Sequence, residues 1–280
     1  MDPAHYRLLI ETALQEDLGT DGDVTCAAVF TDEHTEAHLI SKDSGILAGR
    51  DVFTAVFSAV DATTEVTFMI EDGTDLGPGD HIATVQGNAS SVFSAERVAL
   101  NVLSFLTGIA STTRRYVDEA AAGGRAMILD TRKTLPGYRA LSKYAVRVGG
   151  ARNHRLGLYD MVLLKDNHID RAGSITSAVE RVRRRWESRY RIEVECRTVE
   201  DVIEAHTLGV DMIMLDNMNL EHMRESVALC AGTTLLEASG NMDLSRIREV
   251  SATGVDYISV GALTHSVQSF DFSLLTAGAG

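Results

Sequence analysis

Charged and small polar residues recur at the ends of six short apolar runs in this 280-residue chain. Asp130-Thr131-Arg132-Lys133 follows the first run and Lys165-Asp166-Asn167-His168 the second. Glu193 and Glu195, Asp216-Asn217, Ser239-Gly240-Asn241 and Gly261 complete the series. Two carboxylates at neighbouring strand ends, Glu195 and Asp216, suit a magnesium ion shared with phosphate oxygens, because magnesium prefers hard oxygen ligands. Either carboxylate could instead pair with an arginine. Ser239-Gly240-Asn241 and Val260-Gly261-Ala262 fall where strand passes to helix. Backbone N–H groups at such turns cradle phosphate, although glycine is common there on geometric grounds alone. Arg132, Lys133, Arg155 and Lys165 supply positive charge; arginine forks a carboxylate with paired hydrogen bonds, and lysine acts as a point charge. These residues describe a site for a phosphosugar with magnesium beside a small carboxylate-bearing molecule.

The elements that must position them are legible as periodicity. Ala126–Leu129, Met161–Leu164, Ile192–Val194, Met212–Leu215, Thr234–Leu236 and Tyr257–Val260 are continuous apolar runs, most of them separated by helical stretches. Fully apolar strands alternating with helices predict a parallel sheet covered by helices. Six such strands without a GxGxxG turn favour a barrel, open or incomplete, over a dinucleotide-binding sheet. In such barrels the C-terminal strand ends form the active-site face. The first hundred residues read as an α+β unit: a helix over residues 4–18, alternation from Glu65 to Ile70, glycine turns and a strand from His81 to Val85. A long helix is expected from about Val92 to Ala121, with apolar positions three and four apart.

Charge narrows the partners. The chain carries 40 acidic and 26 basic residues, a net charge of -14, which makes nucleic acid and anionic membrane poor partners. Four of the basic residues are lysines, Lys42, Lys133, Lys143 and Lys165, and a chain so acidic and lysine-poor suggests a salt-rich, halophilic cytoplasm. Between Arg132 and Lys165, however, eight basic residues face a single acid, Asp160, which points to an anion site rather than a solvated face. A second basic run, Arg181 to Arg191, has helical spacing and reads as a solvated helix face. No apolar run approaches the ~20 residues that span a bilayer. The N-terminus lacks a basic region followed by an apolar one, and Cys26, Cys196 and Cys230 show no CxxC spacing. A cytoplasmic protein without disulfides is expected.

Eight motifs, taken in order, resemble the quinolinate phosphoribosyltransferase family. They are Glu16-Asp17-Leu18-Gly19 with Gly22-Asp23-Val24-Thr25; Glu96-Arg97-Val98-Ala99-Leu100-Asn101; Asp130 to Gly137; His154 to Asp160; Leu164 to His168; Glu193-Val194-Glu195; Leu215-Asp216-Asn217-Met218; and Ser259 to Thr264. Asn241 stands where many members have glycine; asparagine tolerates positive φ better than most residues, so the loop can keep its shape.

The resemblance implies an N-terminal α/β sandwich domain, residues 1–108 joined by a C-terminal tail at 268–280, and an open α/β barrel over 109–267 carrying the site. It implies a homodimer whose partner supplies Arg97 to the site. Thr131, Arg132, His154, Arg155 and Lys165 would join Arg97 around quinolinate. Lys133, Glu195, Asp216, Ser239, Gly240, Asn241 and Val260, Gly261 and Ala262 would hold phosphoribosyl pyrophosphate. Glu195 and Asp216 would hold its magnesium, with Lys133 and Lys165 catalytic beside them. Two other activities compete: phosphoribosyl transfer to nicotinate without decarboxylation, and a barrel lyase using Lys165 as a Schiff base, which needs a desolvated amine.

Overall fold

Residues too apolar to face water on either side become strands of a covered sheet, and all six expected runs do so. In the computed structural model, which describes residues 1–276, they are Met127–Leu129, Val162–Leu164, Ile192–Cys196, Met212–Asp216, Leu235–Ser239 and Tyr257–Ser259. Every residue of Ile192–Cys196 is buried, as a strand covered on both faces requires. All pairings in this sheet are parallel. Its order is Met127–Leu129, Tyr257–Ser259, Leu235–Ser239, Met212–Asp216, Ile192–Cys196, Val162–Leu164. The first two strands in the chain therefore occupy opposite edges and do not pair with each other. A parallel bridge from Leu129 to Arg152 extends the first edge, and the barrel stays open.

Helices follow the strand ends with side-chain caps that meet the orphan N–H groups of a first turn. Thr198 and Asp201 form a capping box before Val199–Thr207, Asn219 caps Leu220–Cys230, and Asp243 caps Leu244–Ser251. The basic run is helical only through Trp186; Glu187 turns to φ 52°, so Arg189 and Arg191 lie beyond the helix.

The chain divides into two compact units, one of residues 1–114, 135–150 and the chain from 267 onward, the other of 115–134 and 151–266. In the first, an antiparallel sheet runs in the order Phe272–Thr276, His34–Ser41, His81–Asn88, Glu65–Phe68. The Arg50–Val60 helix buries Val52, Phe53, Val56 and Phe57, and the Phe53 ring meets Phe68 edge-on at 5.6 Å. Of the C-terminal tail expected at 268–280, residues 277–280 lie outside the described residues.

By spatial clustering the division falls at Arg114–Arg115, inside the Ala89–Gly123 helix, along which Ile109, Ala110, Tyr116 and Ala120 are buried. Residues 135–150, expected with the barrel, cluster with the first unit. Tyr138 meets Phe105 edge-on at 5.5 Å, and the Tyr144 hydroxyl donates to Asp72. By length and composition Ala89–Gly123 could cross a membrane, yet Val92, Ala99, Leu103 and Leu106 along it are buried in the protein.

Candidate active site

A cleft of about 480 Å³ opens at the C-terminal ends of the parallel strands. Side chains alternate along a strand, so residues two apart face the same way. Glu195, Asp216, Ser239 and Ser259 accordingly point into one space from four adjacent strands. Eleven of the expected residues line it: Thr131, Arg132, Lys133, His154, Arg155, Lys165, Glu195, Asp216, Ser239, Gly240 and Asn241.

Four expected residues do not. Arg97 is exposed on the long helix and belongs to the first compact unit. Val260 is fully buried behind the cleft. Gly261 backs Lys133: a Cβ there would stand 3.1 Å from Lys133 Cδ. Ala262 opens a single helical turn, Ala262–His265, whose Thr264 hydroxyl donates to the Lys133 carbonyl at 2.8 Å. This segment supports Lys133 from behind.

The cations are poised for an anionic guest. Arg155 is buried, with Nη1 donating to the Met161 carbonyl at 3.1 Å. Burial first, then the neighbouring Arg132, make its charged form less favoured than in water. Arg132 Nε is buried without a hydrogen-bond partner. A carboxylate between two such guanidiniums would relieve both penalties. At the rim, Lys165 Nζ stands 3.6 Å from Glu195 Oε2. Lys133 is exposed, and its N–H donates to the Thr131 hydroxyl at 3.0 Å.

Asparagines lace the strand-end loops together. Asn217 Nδ2 donates to Asp216 Oδ2 at 3.0 Å, and its Oδ1 accepts from Asn241 Nδ2 at 3.1 Å. Asn217 and Asn241 adopt φ 54° and 49°, so asparagine does carry the left-handed turn at position 241. Gly240 has φ +90°, and any Cβ would overlap the Asn217 side chain.

Below this mouth lies a second group, two of whose members the sequence reading missed or misplaced. Glu193 was expected at a strand end; the strand continues to Cys196, so Glu193 sits one inward layer deeper and is 0% exposed. Glu237, unassigned from sequence, shares that depth and exposure and lines the cleft. His154 Nε2 lies 3.0 Å from Glu193 and 3.3 Å from Glu237. Asp130 Oδ1 accepts the His154 N–H at 2.9 Å and anchors that segment. Burial opposes charge on the ring, but the two carboxylates outweigh it and push His154 up to about 10. Burial, then the charge of Glu237, push Glu193 up to about 7. The Arg155 N–H lies 2.7 Å from Nδ1 and ties the ring to its own backbone segment. The period-two spacing of Glu193 with Glu195, and of Glu237 with Ser239, was the available signal.

Residues 23–107 match the N-terminal domain of quinolinate phosphoribosyl transferase, and residues 109–275 its C-terminal domain. The chain is 41% identical to a tobacco (Nicotiana tabacum) protein named quinolinate phosphoribosyltransferase [decarboxylating] 2b, mitochondrial, over 97% of this chain and 83% of that one. It is 40% identical to a probable nicotinate-nucleotide pyrophosphorylase [carboxylating] of Bacillus subtilis, over 98% and 94%. The solved nicotinate-nucleotide pyrophosphorylase of Francisella tularensis superposes with a TM-score of 0.95 at 36% identity, over 99% and 98% of the two chains. The chain belongs to the quinolinate phosphoribosyl transferase family.

Proposed function

We propose that this chain transfers the phosphoribosyl group of phosphoribosyl pyrophosphate to quinolinate with loss of carbon dioxide, giving nicotinate mononucleotide and pyrophosphate. Family membership supports this, and the observation that carries it is the pair of guanidiniums, buried Arg155 and half-buried Arg132, in one cleft with Lys133, Lys165, Glu195 and Asp216. Arg132 and Arg155 hold the pyridine's carboxylates and orient its nitrogen toward C1 of the ribose. The nitrogen attacks as pyrophosphate leaves through an oxocarbenium-like state, and Lys133 faces the negative charge that grows on the departing group. Glu195 and Asp216 offer hard oxygen ligands on adjacent strands, a donor set that fits magnesium. Bound there, the ion would neutralise phosphate charge. Ser239, Gly240 and Asn241 present small side chains and backbone N–H groups to phosphate.

Lys165 argues against a Schiff-base lyase: its side chain is 50% exposed and paired with Glu195, not desolvated. The remaining expectations join the proposal. The enzyme works as a homodimer with Arg97 contributed across the interface, in a salt-rich cytoplasm, as the acidic, lysine-poor composition suggests.

Two substrate assays test the reading. Carbon dioxide release from labelled quinolinate should require both phosphoribosyl pyrophosphate and magnesium. Nicotinate should be used ten- to 150-fold less well, because one charged hydrogen bond contributes about 1.5–3 kcal/mol, and an unpaired buried cation can widen this toward ~10⁴. Comparable kcat/KM for the two acids would overturn the assignment.

A further inference from the structure

Two neighbouring loops at the mouth of the cleft are built to one pattern. Asp216 and Ser239 end adjacent parallel strands as a registered pair, and the Asn217 N–H donates to the Ser239 carbonyl at 3.0 Å. Each loop then carries an asparagine with positive φ, Asn217 or Asn241. A buried methionine follows, Met218 or Met242, and then a helix cap, Asn219 or Asp243. The methionines and caps account for the anchoring of both loops. They do not account for the asparagines, which line the cleft in a backbone conformation that disfavours any residue but glycine.

The two amides form a chain with one direction. Asn241 Nδ2 donates to Asn217 Oδ1 at 3.1 Å, and Asn217 Nδ2 donates to Asp216 Oδ2 at 3.0 Å. An amide has one accepting end and one donating end, so accepting from Asn241 turns the donating end of Asn217 toward Asp216. Gly240 makes the room, since a Cβ there would overlap the Asn217 side chain. The bond to Asn217 occupies one oxygen of Asp216 and keeps the carboxyl group from turning. Asp216 has no other hydrogen bond or ion pair among the described residues, so Oδ1 is the atom left for a cation. Magnesium demands near-ideal octahedral geometry, and a carboxylate already fixed loses little freedom in meeting it. Glu195 is restrained by other means, through Lys165 at 3.6 Å.

Resting on the functional reading above, we propose that Asn217 is a positioning residue that fixes Asp216 with Oδ1 open to the divalent cation, and that Asn241 holds Asn217 in the orientation this needs. The asparagine pair thereby joins the loop that faces the metal to the loop that faces phosphate.

Metal binding can be read apart from turnover. Equilibrium dialysis of manganese(II), which takes the same oxygen donors as magnesium, is run with pyrophosphate at equal concentration on both sides. Glycine fits positive φ, so Asn217→Gly and Asn241→Gly remove the amides without straining the backbone. Asn217→Gly is expected to weaken manganese binding ~10- to 100-fold, the usual effect of losing a group that orients a metal ligand. Asn241→Gly should weaken it about two- to tenfold, the contribution of one neutral hydrogen bond, and the double variant should match Asn217→Gly. Quinolinate affinity should hold in all three, because Arg132 and Arg155 are carried by other segments of the chain. Wild-type manganese affinity in Asn217→Gly overturns the proposal. So does an equal loss of quinolinate affinity, which would mean a general disturbance of the cleft. Additive losses in the double variant overturn the chain from Asn241 through Asn217. Should Asn217→Gly fail to fold, Asn241→Gly decides alone, and unchanged manganese binding there overturns the proposal. A wild type that shows this dependence yet forms no nicotinate mononucleotide would overturn the functional reading and leave the positioning of Asp216 standing.

Discussion

Glu195 and Glu193 stand two residues apart on one strand, yet the mouth and the floor of the cleft give them different surroundings. Glu195 keeps some contact with water and faces Lys165, whose side chain is half exposed. Glu193 sees no water; burial and Glu237 push it up to about 7. At the mouth, a carboxylate stays within reach of water, of lysine and of metal or phosphate-bound cations. One layer deeper, where screening fails, the nearest fixed groups decide whether a proton stays. The lesson extends to the cations. Exposed Lys133 and Lys165 serve as point charges, whereas buried Arg155 and half-buried Arg132 repel each other until an anion arrives.

The largest expected effect tests the mouth. Asp216→Asn keeps the shape but halves the paired charge with Glu195, and kcat should fall ~10²- to 10³-fold, as when one transition-state stabiliser is removed. The magnesium needed for half-maximal activity should rise as well; an unchanged magnesium response would break the assignment of the mouth to metal and phosphate.

Arg97 asks whether the mouth is complete within one chain. Arg97→Ala should lower kcat/KM for quinolinate about ten- to 150-fold, one charged hydrogen bond, with an unchanged melting temperature. Mixing Arg97→Ala with Lys133→Ala subunits should restore activity toward about half of wild type, because one site of each mixed dimer would be intact. Verified heterodimers that stay inactive would confine Arg97 to its own subunit.

At the floor the effect is on stability. Glu193 rises from its ordinary 4.5 to about 7, and His154 from 6.5 to about 10. Folded-state values above the unfolded ones mean that each group stabilises fully below its unfolded value and loses this as pH rises through the folded value. The windows are 4.5 to about 7 for Glu193 and 6.5 to about 10 for His154. Urea unfolding should therefore show stability falling by on the order of 3 kcal/mol from mildly acid to alkaline pH. Glu193→Gln should flatten that fall, and an undiminished slope would show that the floor is not its source.

Salt should act on the surface and leave the buried cluster alone. Residues 1–100 carry 18 acids and four basic residues, so their self-repulsion should weaken as the Debye length shrinks from about 30 Å at 0.01 M to about 3 Å at 1 M. A melting temperature rising by a few degrees into molar potassium chloride is expected. A flat or falling one would remove the halophilic reading and leave the enzyme untouched.

Much of this was legible in the chain itself. Apolar runs announced the six parallel strands, since a strand covered on both faces is mostly apolar, with Glu193 and Glu237 as the exceptions. The residues closing those runs, from Thr131 to Asn241, converge in the cleft because strand ends in a parallel sheet share one side. The helix Arg139–Val148 was read with the barrel and clusters in space with the first unit, because nothing in its own pattern says which apolar surface its buried Leu141 and Val146 meet. Glu193 was read one layer too high for a related reason. A carboxylate inside an apolar run looks like the end of the strand unless burial overrides the rule that charge ends it.

Residue type and spacing determined the parallel strands and the ring of cations and carboxylates, and the motifs carried the resemblance to the family, because those signals are local and lie along the chain. Only the tertiary structure decided which strands form the open edges, that His154 meets two glutamates from distant strands, and which carboxylates keep water. Ionisation depends on desolvation and on charges a few ångströms away, and neither exists until the fold brings remote residues together.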